Sequence, residues 1–172
     1  KQMVDAKRKE TLDDIAAHIC PGDLLVVSFG HNDANRTKAE RYVPADAFGE
    51  SLRPFWDAAR SHGAVCIFAS PVAMREFDED SVCHPSFAAY REAMRAFAAE
   101  VGAPFIDLGA ATAAANTAFG AERCKARYMW VGAKQDNAHQ QNAGACRTAQ
   151  AFVQQLLQDT TPALDVLRAN FK

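Results

Sequence analysis

The chain has 172 residues, 49% of them hydrophobic and 23% charged, with a formal net charge of −2; this is the length and balance of one globular domain with a sizeable core. Its charges are mixed, with no run of five or six of one sign, so nucleic acid is not an expected partner. No apolar stretch approaches the roughly 20 residues of a membrane-spanning helix, so no membrane partner is expected either.

Leu12, Ile15, Ala16 and Ile19 recur at i, i+3, i+4 and i+7, which predicts a first helix. Thr11 and Asp14 are spaced like a capping box, and Pro21-Gly22 stops the helix. The apolar run Leu24–Phe29 then reads as a buried strand ending in Gly30-His31-Asn32-Asp33. Phe48, Leu52, Phe55, Trp56 and Ala59 stripe a second helix, which Pro54 interrupts and Gly63 ends, and Ala64–Ala69 is a second buried strand. Phe87, Tyr90, Met94, Phe97 and Val101 give a third helix stopped at Gly102, followed by a short strand over Pro104–Leu108. Ala145, Ala149, Phe152, Val153, Leu156 and Leu157 stripe a last helix, and a polar tail follows Asp159. Strands alternating with helices pair in parallel through right-handed crossovers, so the expected class is α/β, a parallel sheet with helices on both faces. In such sheets ligands bind beyond the carboxyl ends of the strands, where the Gly30–Asp33 loop lies.

Two polar clusters stand out. Gly30-His31-Asn32-Asp33 reads in two ways: as a turn in which Asn32 and Asp33 bond their own backbone, or as a loop aimed by its strand to deliver reactive groups. Asp136 and His139, three apart in QDNAHQQNAGA, face the same side if the segment makes one helical turn. An Asp accepting from one imidazole nitrogen fixes the tautomer and frees the other nitrogen as a base. The alternative is a helix start capped by Asp136 or Asn137 with His139 in solvent. His18 reads as a surface residue, His62 as a cation at a helix end, and His84 has no evident partner. The five cysteines, Cys20, Cys66, Cys83, Cys124 and Cys146, contain no C-x-x-C pair, which leaves zinc-ribbon and thioredoxin readings without support. Cys20 and Cys66 read as small core residues, and a Cys124–Cys146 bridge stays open. The chain has no G-x-S-x-G, G-x-G-x-x-G or P-loop motif.

The sequences PGDLLVVSFGHND, FASPVAMREFDED and YMWVGAKQDNAHQQNAGA resemble the SGNH (GDSL-type) hydrolases, and more narrowly their rhamnogalacturonan acetylesterase-like branch, over most of residues 11–158. The resemblance implies a three-layer, flavodoxin-like α/β fold over residues 1–158, with 159–172 as a tail, and a serine esterase that removes acetyl groups from pectic or related sugars without a cofactor or metal. It further implies that Asn32 donates its amide to the oxyanion, His139 is the base and Asp136 orients it. The family's nucleophilic serine and its oxyanion-hole glycine precede the first helix seen here. The expectation is therefore that the first strand and the nucleophile loop lie upstream of Lys1. Within the chain, Ser28 is expected to point into the packing layers of the sheet, and Ser70, closing the second strand, is the better placed serine without a precedent as nucleophile. A catalytically silent carbohydrate-binding or scaffolding relative is the alternative function, and metal-assisted hydrolysis through His31, Asp33 and His139 is a weaker third. Substrate-binding residues and oligomeric state are not legible.

Overall fold

The computed structural model describes residues 2–169 and 171. Contacts group the chain into two compact units, residues 1–70 with 87–105, and residues 71–86 with 106–172. None of the helices among the described residues is long and apolar enough to cross a membrane.

The first unit holds α1 (Gln2–His18), β1 (Leu24–Val27), α2 (Ala45–Ser51), α3 (Arg53–Ser61), β2 (Val65–Ala69) and α4 (Ala88–Val101). β1 pairs with β2 in parallel, Leu24 opposite Val65 and Val27 opposite Phe68, and β2 lies between β1 and β3 (Phe105–Ile106) in the sheet order. The expected α/β class with a parallel sheet is what forms. Side chains alternate across the strands: Leu25, Val27, Cys66 and Phe68 point into a core shared with Phe48, Leu52 and Phe55 from α2, α3 and their junction, and with Met94 and Phe97 of α4. Gly102, at φ +69, ends α4 in the left-handed conformation that favours glycine.

The second unit holds α5 (Leu108–Phe119), α6 (Ala121–Cys124), a 3₁₀ turn (Lys125–Arg127), β4 (Tyr128–Val131), β5 (Lys134–Gln140), α7 (Asn142–Gln158), a second 3₁₀ turn (Pro162–Leu164) and α8 (Asp165–Ala169). β4 and β5 form an antiparallel hairpin. Tyr128 organises the interior: it is 1% exposed, its hydroxyl donates to the Ala73 carbonyl at 2.7 Å and accepts from the Asn116 amide at 2.8 Å.

Several expectations are corrected here. α1 begins well before Leu12, so Thr11 and Asp14 lie inside a helix rather than capping one. The second stripe is two helices broken at Leu52, because Pro54 has no N–H to donate to the preceding turn and is tolerated only at a helix start. The third strand is two residues long, and Leu108 already belongs to α5, which opens on an Asp107 cap accepting from the Ala110 N–H at 3.3 Å. β1 is not a buried strand throughout. Leu24 and Val26, on the face opposite the core, are 38% and 47% exposed, and Ser28 is exposed rather than turned inward. The segment after Asp159 is not only polar tail, since Leu164 is fully buried. All five cysteines are free, and a Cys124–Cys146 bridge joins nothing here: Cys124 is buried and Cys146 exposed. Cys20, read as a core residue, is exposed as well, whereas burial pushes the Cys66 thiol up to about 12.

Candidate active site

The chain leaves β1 into a tight loop whose geometry depends on two residues. Gly30 sits at φ +131, a conformation a side chain would strain. Asp33, 5% exposed, accepts the Gly30 N–H through Oδ2 at 3.1 Å, and its own carbonyl accepts from the Val43 N–H at 3.1 Å and the Tyr90 hydroxyl at 3.3 Å. Asp33 is thus the turn-forming carboxylate of the two-way reading. His31 packs edge-to-face on Phe87, ring centroids 4.9 Å apart. Between them Asn32 is exposed, and among the described residues its backbone carbonyl accepts the Asn35 N–H at 3.2 Å. A turn that fixes both neighbours and leaves one carboxamide facing solvent is suited to donating that amide to a bound oxygen.

Asp136 and His139 belong to the second unit, and the structure brings them together. Asp136 Oδ1 accepts the Ala138 and His139 backbone N–H groups, each at 2.9 Å, while Oδ2 meets His139 Nδ1 at 2.8 Å. The pair lies in a bulged hairpin, not on the expected helical turn: Trp130 faces Gln135 and Tyr128 faces Gln140, so the four β5 residues 136–139 are set against the single β4 residue Met129. The His139 N–H first, then that of Ala138, and with them the His139 ring hold the Asp136 carboxyl far below the usual carboxylate range, against the opposing effect of partial burial. A carboxylate only accepts, so Nδ1 carries the proton and donates it. Nε2 is left as the basic nitrogen on a side chain that is 80% exposed, beside an Asp136 side chain that is only 19% exposed.

The remaining candidates separate from these. Ser70 is fully buried and Ser28 sits on the β1 exit. His18 is exposed and bonds the Asp14 carbonyl, His62 ends α3 with Nδ1 on the Ala58 carbonyl, and His84 has a partner after all, Asp78 at 2.6 Å. Among the described residues no group of three or more His, Cys, Asp or Glu side chains is gathered as a metal site requires. Sequence reasoning assigned no role to Arg75 or Trp130 and offered Asn137 only as a candidate helix cap; the three interlock beside the Asp136–His139 pair. The only signal for Arg75 was its place within FASPVAMREFDED.

Residues 4–145 match the model of the GDSL-like lipase/acylhydrolase family. The chain belongs to this family. It is 33% identical over 165 residues, 91% of its length, to the rhamnogalacturonan acetylesterase RhgT of Bacillus subtilis, and 33% identical over 146 residues, 84% of its length, to a probable rhamnogalacturonan acetylesterase of the same organism, YesY. The crystal structure of the Bacillus subtilis protein YxiM matches 89% of this GDSL-like chain with a TM-score of 0.78 at 28% identity. The chain spans 70% and 65% of the length of the two curated relatives and 42% of the YxiM chain.

Proposed function

We propose that this GDSL-like chain is the main part of a serine esterase that removes O-acetyl groups from carbohydrates of the rhamnogalacturonan type. The observation that carries the reading is the 2.8 Å contact between His139 Nδ1 and an Asp136 pinned by two backbone N–H groups; this builds an oriented, tautomer-fixed base in a member of an acylhydrolase family. Its two curated relatives, named as acetylesterases of rhamnogalacturonan, supply the substrate class.

In this mechanism a serine hydroxyl attacks the acetyl carbonyl while His139 Nε2 takes its proton. The oxygen of the tetrahedral intermediate becomes negative and accepts from the Asn32 side-chain amide. As the intermediate collapses and its bond to the sugar oxygen breaks, the imidazolium, stabilised by Asp136, passes its proton to that oxygen, which leaves as the sugar hydroxyl. Water, deprotonated by the same nitrogen, then releases acetate and restores the serine. The reading places this serine outside residues 1–172, on a strand and loop preceding α1. Among the described residues β1 lies at the edge of its sheet, and its Leu24 and Val26 are exposed; both support that placement, because an edge strand with an apolar face is what an added strand and its crossover would cover.

The test compares residues 1–172 with the full gene product on p-nitrophenyl acetate and on acetylated pectin fragments. The expected result is no turnover by the fragment, and turnover abolished by active-serine reagents in the longer protein. A fully active fragment that resists such reagents would overturn the placement of the nucleophile. A full product that binds the fragments without cleaving them would favour the catalytically silent alternative.

A further inference from the structure

The Asp136–His139 pair rides on the stretch of β5 that has no ladder partner, where three residues more than the opposite strand supplies are looped out between Gln135 and Gln140. A bulge of this kind leaves its residues free of the regular inter-strand bonds that would otherwise fix them, yet a general base must be held to a fraction of an ångström. Asn137, between the two residues, is what the rest of the unit grips. Its backbone carbonyl accepts the Arg75 N–H at 2.7 Å. Its side-chain Oδ1 accepts the Trp130 indole N–H at 2.9 Å and Arg75 Nη1 at 3.3 Å.

The two donors are themselves held. Arg75 Nε and Nη2 converge on the Ala121 carbonyl at 3.1 and 2.9 Å, and its guanidinium lies 4.7 Å from the centroid of the Trp130 ring. Lys125, paired with Glu122 at 2.7 Å, places Nζ 4.7 Å from the same ring. Cations within about 6 Å of an indole ring are attracted to its negative face, so Trp130 is fixed by two charges and by its own N–H. Arg75 comes from the segment after β2 and Trp130 from β4, so two separate pieces of the unit meet on one carboxamide, and a third, the start of α6, anchors Arg75 through the Ala121 carbonyl.

We propose that Arg75 and Trp130 are positioning residues that act through Asn137 to hold the Asp136–His139 pair in register. Asn137 fixes the peptide planes on either side of itself; one carries the Asp136 Cα from which the carboxylate projects, and the other carries the Ala138 N–H that this carboxylate accepts at 2.9 Å. Release of Asn137 lets the bulge shift, and the Nδ1 to Oδ2 bond loosens with it.

The kinetic arm rests on the esterase reading above and uses the full gene product. Asn137→Ala removes the shared acceptor and is expected to lower kcat about 10- to 100-fold with KM nearly unchanged, the cost of a base displaced by a fraction of an ångström to an ångström. Asn137→Asp returns an oxygen to both donors and restores most of the rate. Long-range ¹H–¹⁵N spectra of the imidazoles give the second arm: His139 is protonated at Nδ1 in the unaltered protein and becomes a mixture of tautomers in Asn137→Ala. If Asn137→Ala fails to fold, Trp130→Phe, which keeps the ring and deletes only the N–H donor, gives the same two readouts. Unchanged kcat together with an unchanged His139 tautomer, or a loss confined to thermal stability, overturns the proposal. Absence of ester turnover in the unaltered gene product overturns the esterase reading instead, and the tautomer spectra still decide the positioning role.

Discussion

Replacing Asp136 by Asn alters a single group, and the hairpin dictates what that alteration does. Oδ1 of Asp136 is the acceptor of two backbone N–H groups, from Ala138 and His139. An Asn side chain at this position can keep those bonds only by leaving its carbonyl oxygen where Oδ1 was. Its NH2 group then occupies the place of Oδ2, 2.8 Å from His139 Nδ1. Two donors cannot face each other, so the imidazole moves its proton to Nε2 and accepts at Nδ1. The nitrogen that should take the serine proton is now protonated. In serine proteases the equivalent wrong-tautomer substitution lowers kcat by roughly 10⁴, and a loss of that order is expected for Asp136→Asn on acetyl esters, with little change in KM. Because the Oδ1 bonds persist, the melting temperature should fall only slightly. His139→Ala, which removes the base altogether, should lose at least as much rate, and imidazole spectra of Asp136→Asn should show the proton on Nε2. An Asp136→Asn enzyme turning over within tenfold of the unaltered one would refute the role of this pair in fixing the tautomer.

Asn32→Ala should lower kcat by roughly 10²- to 10³-fold, the cost of one oxyanion donor, while thermal melting stays unchanged because the Asn32 side chain is exposed; near-normal turnover would remove Asn32 from the mechanism. Tyr128→Phe leaves the Ala73 carbonyl and the Asn116 amide without their 2.7 and 2.8 Å partner; at about 1–3 kcal/mol for buried groups left unpaired and about 2–4 °C per kcal/mol in a chain of this size, calorimetry should show a drop of several degrees, and a shift under 1 °C would contradict it. Thiol titration should find Cys20 and Cys146 in the native protein and all five cysteines only after unfolding, since Cys66, Cys83 and Cys124 are buried and their thiols are pushed up by burial; rapid native labelling of Cys66 would show that the first unit opens readily.

The sequence by itself determined the elements whose side chains all obey one period. The apolar run that became β2 and the stripe of Tyr90, Met94 and Phe97 in α4 have a single low-energy arrangement against a core, and the Gly102 stop needs only local backbone freedom. It also singled out the residues proposed above to carry the chemistry, because a Gly-His-Asn-Asp loop and a D-x-x-H spacing are properties of the chain order. It did not reveal α5, an alanine-rich helix with no apolar and polar contrast to mark a face. Nor could it place the Asp136–His139 pair, since residues three apart meet on a helical turn and equally across a bulge, and the choice fell to the antiparallel pairing of β4 with β5. Exposure of Leu24 and Val26 was likewise beyond it, because burial of a strand face depends on what packs there and not on the strand's own composition. The Arg75 to Asn137 contact spans 62 positions of sequence. Only folding brings such groups to one point, and the register that results decides whether an aspartate and a histidine in the same motif meet in a hydrogen bond at 2.8 Å.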